Sequence, residues 1–149
     1  MLRQVGLLAL LVGALAFAAA GCGSSGEKES EGANGEQVQA ACNGSQLSSE
    51  PKLPASFPQI EADKLVYTKQ RTDGPTEVVE GYFNGDVKDA HDEFKKELQG
   101  AGYKILFDEL EDHDSEVSWS GEGRTGQVAL REECGDSGKT YVHITNRPE

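Results

Sequence analysis

The side chains best suited to acid–base chemistry in this 149-residue sequence are its three histidines, His91, His113 and His143. A catalytic histidine commonly lies in a motif such as H-x-x-x-H, H-E-x-x-H or a nucleophile elbow, and none of the three does. His91 falls beside or opposite the apolar stripe of a predicted helix, and His143 alternates with apolar residues of a predicted strand. We therefore predict surface positions for both, no catalytic residues and no enzyme activity. A triad of residues distant in sequence stays open, because spacing cannot reveal one.

A carboxylate-rich segment after the predicted helix has the side chains that ligate a hard cation such as calcium. It comprises Asp108, Glu109, Glu111, Asp112, His113, Asp114 and Glu116. The EF-hand spacing D-x-[DN]-x-[DN]-G is absent, and carboxylates at a strand end and turn commonly face solvent. We predict no metal site and no cofactor, with weak cation binding at most.

Residues 121–126 match the pattern G-x-G-x-x-G, with Gly121, Gly123 and Gly126 at the glycine positions. In the dinucleotide-binding fingerprint the last glycine opens a helix whose N-terminus receives a pyrophosphate. Here the next residues, 127–131, have the pattern of a strand. We therefore predict a turn between two strands at this place.

The N-terminal segment contains a basic residue, Arg3, and an apolar stretch from Val5 to Gly21 that ends at Cys22. It resembles a bacterial lipoprotein signal peptide with its lipobox, although Ala19 stands where leucine is usual. The resemblance implies removal of residues 1–21 and a diacylglycerol on the thiol of Cys22, which anchors the protein on the extracytoplasmic side of the cell membrane. An uncleaved membrane helix and ordinary secretion remain the alternatives.

The residues after Cys22 are mainly Gly, Ser, Glu, Lys and Asn, which bury too little apolar surface to offset their ordering entropy. They predict a flexible acidic tether over residues 22–40. No aspartate stands at Gly23 or Ser24, which is similar to lipoproteins passed on to the outer membrane in bacteria with two membranes.

Two further cysteines, Cys42 and Cys134, are left in a chain predicted to reach an oxidising compartment, so we expect one structural disulfide between them. The formal net charge of −12 argues against nucleic acid as a partner, because a field of that sign repels polyanions. A basic peptide, a cation or a cationic protein surface remains compatible with it.

The rest of the chain predicts one α+β domain over residues 41–149. Residues 41–60 contain three spaced prolines and read as an extended lead-in. Two hairpins and one helix with apolar residues at three- and four-residue spacing follow from the pattern. The predicted fold is an antiparallel sheet of about five strands with one helix packed on one face, in the order β-β-α-β-β-β.

This organisation, together with the lipobox, resembles the small uncharacterised lipoproteins of bacterial cell envelopes. The resemblance implies an envelope domain of unassigned activity. We expect the protein to act as a binding module for an envelope protein, through an open sheet face around Tyr82, Trp119 and Tyr141. The alternatives are an inhibitor or accessory subunit of an envelope enzyme, and a small-molecule or cation carrier with a pocket between helix and sheet.

Overall fold

The structure is a computed structural model that describes residues 28–149, with side chains from residue 35 onward. Cys22, the lipobox and the first part of the predicted tether lie outside the described residues. Eight elements follow one another along the chain: α1 (Lys28–Cys42), β1 (Leu65–Asp73), β2 (Thr76–Asn84), α2 (Val87–Gly100), β3 (Lys104–Leu110), β4 (Asp114–Gly121), β5 (Arg124–Arg131) and β6 (Lys139–Pro148). Neither of the two helices in this range is long and apolar enough to cross a bilayer.

All six strands form one antiparallel sheet in the order β1-β2-β6-β5-β4-β3. The α+β class and the antiparallel sheet are confirmed, but four strands follow α2 where the predicted order has three. The difference arises in the acidic segment, which turns back on itself between β3 and β4. Its turn is closed by a hydrogen bond from the Glu111 amide to the Asp114 carbonyl, 2.9 Å long. Apolar runs at 103–110 and 116–120 indicate a strand on each side of this turn, so the predicted order counted one strand too few.

The predicted helix is α2, and residues at both of its ends favour these boundaries. The Asp86 carboxylate caps it by accepting a 2.8 Å hydrogen bond from the Asp89 amide. Gly102, at φ +88°, follows the helix in the left-handed conformation that commonly ends one. The apolar stripe of α2 is buried against one face of the sheet, and its members are Val87, Ala90, Phe94 and Leu98.

A helix that the composition did not predict, α1, lies on the opposite face of the sheet. The sequence predicted a flexible tether to about residue 40, whereas the chain is helical from Lys28 to Cys42. Val38 and Ala41 are buried there against Tyr141. Packing therefore stabilises a segment that has few apolar residues, because most helical stability in proteins comes from tertiary contacts.

The predicted disulfide between Cys42 and Cys134 is confirmed, with 5.5 Å between the two Cα atoms and a sequence separation of 92. It joins the last residue of α1 to the segment between β5 and β6. The end of α1 is therefore held covalently against the sheet.

The lead-in after α1 covers the β1 edge of the sheet. The Leu47 amide donates to the Tyr67 carbonyl of β1 at 2.8 Å, and the Lys52 amide donates to the Gln70 side-chain oxygen at 3.0 Å. Further along, Phe57 is buried in the main core. One of the two edges of the sheet is thus occupied by the chain itself.

The glycine-rich pattern at residues 121–126 forms the turn between β4 and β5, as predicted. Glu122 and Gly123 have φ values of +56° and +71°, which is typical of a two-residue hairpin turn. Gly126 lies within β5, where an added Cβ would stand 2.2 Å from the Thr145 carbonyl oxygen and 2.4 Å from the Trp119 ring. Close packing, rather than a nucleotide, explains that glycine.

Candidate functional site

The three aromatic residues predicted to share an open face do not share one. Trp119 is fully buried in the main core on the α2 side of the sheet, in contact with Phe57 and Tyr103. Tyr82 and Tyr141 are cross-strand partners on the other side, beneath α1. The prediction was wrong because it assumed one helix and could not assign the strand faces, which alternate along each strand.

The part of the sheet that α1 leaves uncovered is mainly polar. Over β4, β5 and β6 its surface is formed by Ser118, Thr125, Gln127 and Thr145, with Leu106 of β3 at its rim. These polar side chains argue against an apolar docking face at the centre of the sheet.

His91 is buried, which corrects the predicted surface position. It lies on the buried side of α2, where it is only 4% exposed. Its Nδ1 atom lies 2.6 Å from Ser115 Oγ on β4, and its Nε2 atom lies 3.1 Å from Asp108 Oδ1 on β3. The other Asp108 oxygen contacts the ammonium group of Lys95. The fold thus brings into contact residues that lie far apart in the sequence. The one indication in the sequence that His91 is buried was its position between the apolar residues of α2.

Ser115, His91 and Asp108 have the types found in a hydrolase triad, but the burial of Ser115 and His91 keeps a substrate from reaching them. Ser115 is 1% exposed and His91 is 4% exposed. A serine nucleophile must reach a substrate carbonyl carbon, and this hydroxyl lies under α2. The arrangement is a buried polar network that joins α2 to two strands.

His113 is exposed at the β3–β4 turn, 2.5 Å from Glu132. The Glu132 carboxylate raises the pKa of His113, with smaller contributions from its acidic neighbours. Around this turn and in the remainder of the described chain, no three His, Cys, Asp or Glu side chains are grouped so as to hold a metal ion.

A groove of about 690 Å³ lies between α1 and the sheet. Its lining comes from α1, from strands β1, β2, β5 and β6, and from Glu133 after β5. Its principal polar residues are Arg71, Glu80, Arg131, Glu133, Tyr141 and His143.

A buried carboxylate lies at the bottom of this groove. Glu80 is 6% exposed and accepts hydrogen bonds from Arg71 Nη1 at 3.0 Å and from the Tyr141 hydroxyl at 2.7 Å. Burial, together with the hydrogen bond to Glu80, raises the pKa of Tyr141, so that hydroxyl stays protonated and keeps donating. Both oxygens of Glu80 therefore have a donor.

His143 lies next to this carboxylate, directly across the β2–β6 ladder from Glu80. Burial lowers the pKa of His143, and the two arginines act in the same direction while Glu80 opposes them. The imidazole is thus neutral at neutral pH. Perturbed titratable groups that converge in a cleft are a recognised mark of binding sites.

The second notable surface is the outer edge of β3. Three large apolar side chains are exposed on this strand, Leu106 by 51%, Phe107 by 47% and Leu110 by 40%. In the described part of the chain β3 pairs only with β4, whereas the opposite sheet edge is covered by the lead-in. An irregularity between Ile105 and Phe107 places Leu106 outside the regular pairing.

Comparison with known proteins gave no match to a family model, a curated protein or a solved structure.

Proposed function

We propose that this chain is an extracytoplasmic lipoprotein, anchored through a diacylglycerol on Cys22, that acts by binding an envelope protein. The anchor is supported by the apolar stretch and small residues that precede Cys22. Binding is favoured over catalysis because the Ser115–His91–Asp108 network is closed to substrate.

The observation that carries the binding proposal is the position of the exposed apolar residues. All three large apolar side chains with high exposure in the described chain belong to β3, which is an edge strand. An edge strand has unpaired backbone N–H and C=O groups that accept a further strand, while pockets along it select side chains. We expect the partner to add an extended segment along Phe107–Leu110.

Charge determines what kind of segment fits. Glu109, Glu111 and Asp112 are exposed on or beside β3, and the chain as a whole carries −12. A second copy would bring the same carboxylates against these, and like charges opposite one another destabilise a strand pair. The partner segment is therefore one that alternates apolar and basic side chains.

This mode of binding also accommodates the role of accessory subunit or inhibitor of an envelope enzyme. The docking strand would then belong to that enzyme. Binding to nucleic acid is not part of the proposal, because the same carboxylates repel phosphate.

The docking edge is tested with defined peptides. A synthetic peptide of alternating valine and lysine is titrated into the isotope-labelled protein, and the backbone amide resonances of Phe107–Leu110 are followed. We expect these amides to shift saturably, and a valine–glutamate peptide of equal length to leave them unchanged. Equal effects of both peptides, or shifts confined to other strands, would refute the proposal.

A pair of charge-neutralising variants sharpens this test. Glu109→Gln removes a carboxylate of β3, and Glu36→Gln removes an exposed carboxylate of α1, on the other half of the sheet. We expect the first to weaken binding of the basic peptide by up to about fivefold, since an exposed ion pair contributes about 0.2–1 kcal/mol. The second should leave the affinity unchanged.

The anchor is tested separately by the intact mass of the protein purified from its native membrane. A chain that lacks residues 1–21 and carries a diacylglycerol supports it. An unacylated or uncleaved chain refutes the anchor without affecting the peptide titration.

A further inference from the structure

We infer that the groove between α1 and the sheet is a binding site for a small organic anion, held by the guanidinium group of Arg131 together with Arg71 and His143. This site is separate from the β3 edge. The groove would bind a small molecule, whereas the β3 edge would bind a protein segment.

Glu80 and Arg71 differ in how far their hydrogen-bonding groups are used within the groove. Both oxygens of Glu80 are already engaged by Arg71 and Tyr141, so this carboxylate offers little to a ligand. Arg71 uses only one of its nitrogens for that contact, and a guanidinium has five N–H groups. Most N–H groups of Arg71 are therefore not used by Glu80.

Arg131 supplies a second guanidinium group to the groove. Its nearest carboxylate, Glu133, is 3.9 Å away, which is an ion pair without a hydrogen bond, and the Arg131 side chain is 51% exposed. Its planar set of donors matches a carboxylate or phosphate in a bidentate arrangement. A carboxylate or phosphate group can therefore accept two hydrogen bonds from Arg131.

The groove also has room and apolar surface for the body of a ligand. Its volume of about 690 Å³ lies within the range of about 300–1,000 Å³ usual for small-molecule sites. Val38 of α1 and Ala129 of β5 line it beside the Tyr141 side chain. A carboxylate or phosphate attached to a hydrocarbon or aromatic body fits this combination.

His143 gives the site a pH dependence that follows from linkage. The groups that face it are Glu80 on β2, Arg71 on β1, Arg131 on β5 and Tyr141 on β6. An anion bound next to the imidazole favours its protonated form. Binding should therefore tighten as the pH falls through the pKa of His143, and a bound anion should raise that pKa.

The experiment uses the folded chain without residues 1–21 and three defined anions, inorganic phosphate, citrate and benzoate, with neutral benzamide as the matched control. Calorimetry gives the affinities, and the imidazole resonances of His143 and His113 report the site. We expect saturable binding of at least one organic anion below about 1 mM, with a shift of His143 and none of His113. Benzamide should not bind.

Three arginine variants distinguish a built site from general charge attraction. Arg131→Gln should weaken the anion at least tenfold, and Arg131→Lys should recover part of the loss. Arg147→Gln removes the same charge from an exposed position on the uncovered part of the sheet and should leave the affinity within about twofold. Saturable binding of none of the three anions, or equal weakening by Arg131→Gln and Arg147→Gln, would overturn the inference.

Discussion

His91 Nδ1 and Ser115 Oγ lie 2.6 Å apart inside the protein, so α2 is hydrogen-bonded to β4 through two buried side chains. This contact explains why a histidine occupies the apolar side of α2. Removing one partner of this contact tests it.

We expect Ser115→Ala to lower the free energy of unfolding by about 1–3 kcal/mol, because it leaves a buried imidazole nitrogen without a partner. Ser118→Ala removes a hydroxyl from β4 on the opposite face and should change stability by less than about 0.5 kcal/mol. Urea denaturation of the two variants checks both values. Equal stability of the two variants would contradict the network.

The same variant tests the expectation that the Ser115–His91–Asp108 network is not catalytic. If the wild-type protein hydrolysed an activated ester and Ser115→Ala abolished that activity, the interpretation of a closed structural network would be wrong. We expect no difference between the two in such an assay.

Gly126 and Gly100 provide a matched pair of glycine substitutions. Gly126→Ala places a Cβ 2.2 Å from a backbone oxygen and 2.4 Å from Trp119, so we expect a loss of about 2 kcal/mol or more. Gly100 is the last residue of α2, and nothing lies within 4 Å of an added Cβ there. Gly100→Ala should stabilise the protein by up to about 1 kcal/mol, because alanine is the better helix former. Thermal denaturation checks the opposite signs.

The elements that the sequence predicted are those in which local and long-range preferences agree. The Asp86 cap and the apolar spacing of α2 specify that helix, and the turn at Glu122 and Gly123 specifies a hairpin. Such signals depend on near neighbours in the chain, so periodicity and turn chemistry reveal them.

The features that the sequence did not predict depend on contacts between distant residues. Helix α1 is held by Val38 and by the disulfide of Cys42, and its composition alone favours a coil. The network around His91 joins an α2 residue to β3 and β4, and the face of Trp119 depends on strand register. Neither local propensity nor spacing contains that information.

The disulfide between Cys42 and Cys134 closes a loop with a sequence separation of 92 residues. We expect the double variant Cys42→Ser, Cys134→Ser to lose about 2–5 kcal/mol in the free energy of unfolding. Because this bond holds the end of α1, amide hydrogen exchange in residues 35–42 should accelerate more than exchange in α2. Unchanged exchange in α1 would show that packing by Val38 and Ala41 alone holds the helix.

The pKa of His143 predicts how stability depends on pH. Burial holds that pKa below its ordinary value of 6.5 in the folded state, so the unfolded chain binds more protons between the two values. This contribution to stability is therefore complete above about pH 7 and is lost as the pH falls from there through the folded-state pKa. We expect His143→Gln to make the stability of the protein less sensitive to acidification, as measured by urea denaturation from about pH 7.5 to pH 5.

His113 serves as the control with the opposite sign. Its pKa is raised by Glu132, so its contribution to stability is present below its ordinary pKa and lost as the pH rises through the folded-state pKa. His113→Gln should make stability fall more steeply on acidification, by a small amount because the pair is exposed. Identical profiles for His143→Gln and the wild-type protein would contradict the burial effect.

The central claim is that β3 is the edge at which an envelope partner docks, and site-specific photo-crosslinking in native membranes tests it most directly. A photoreactive phenylalanine analogue is placed at Phe107 and, as the control, at Lys96, whose side chain is 73% exposed on α2. We predict that the analogue at Phe107 gives a discrete adduct with an extracytoplasmic protein. The Glu109→Gln substitution should weaken this adduct, and the analogue at Lys96 should not form it. No adduct at Phe107, or the same adducts from both positions, would contradict it.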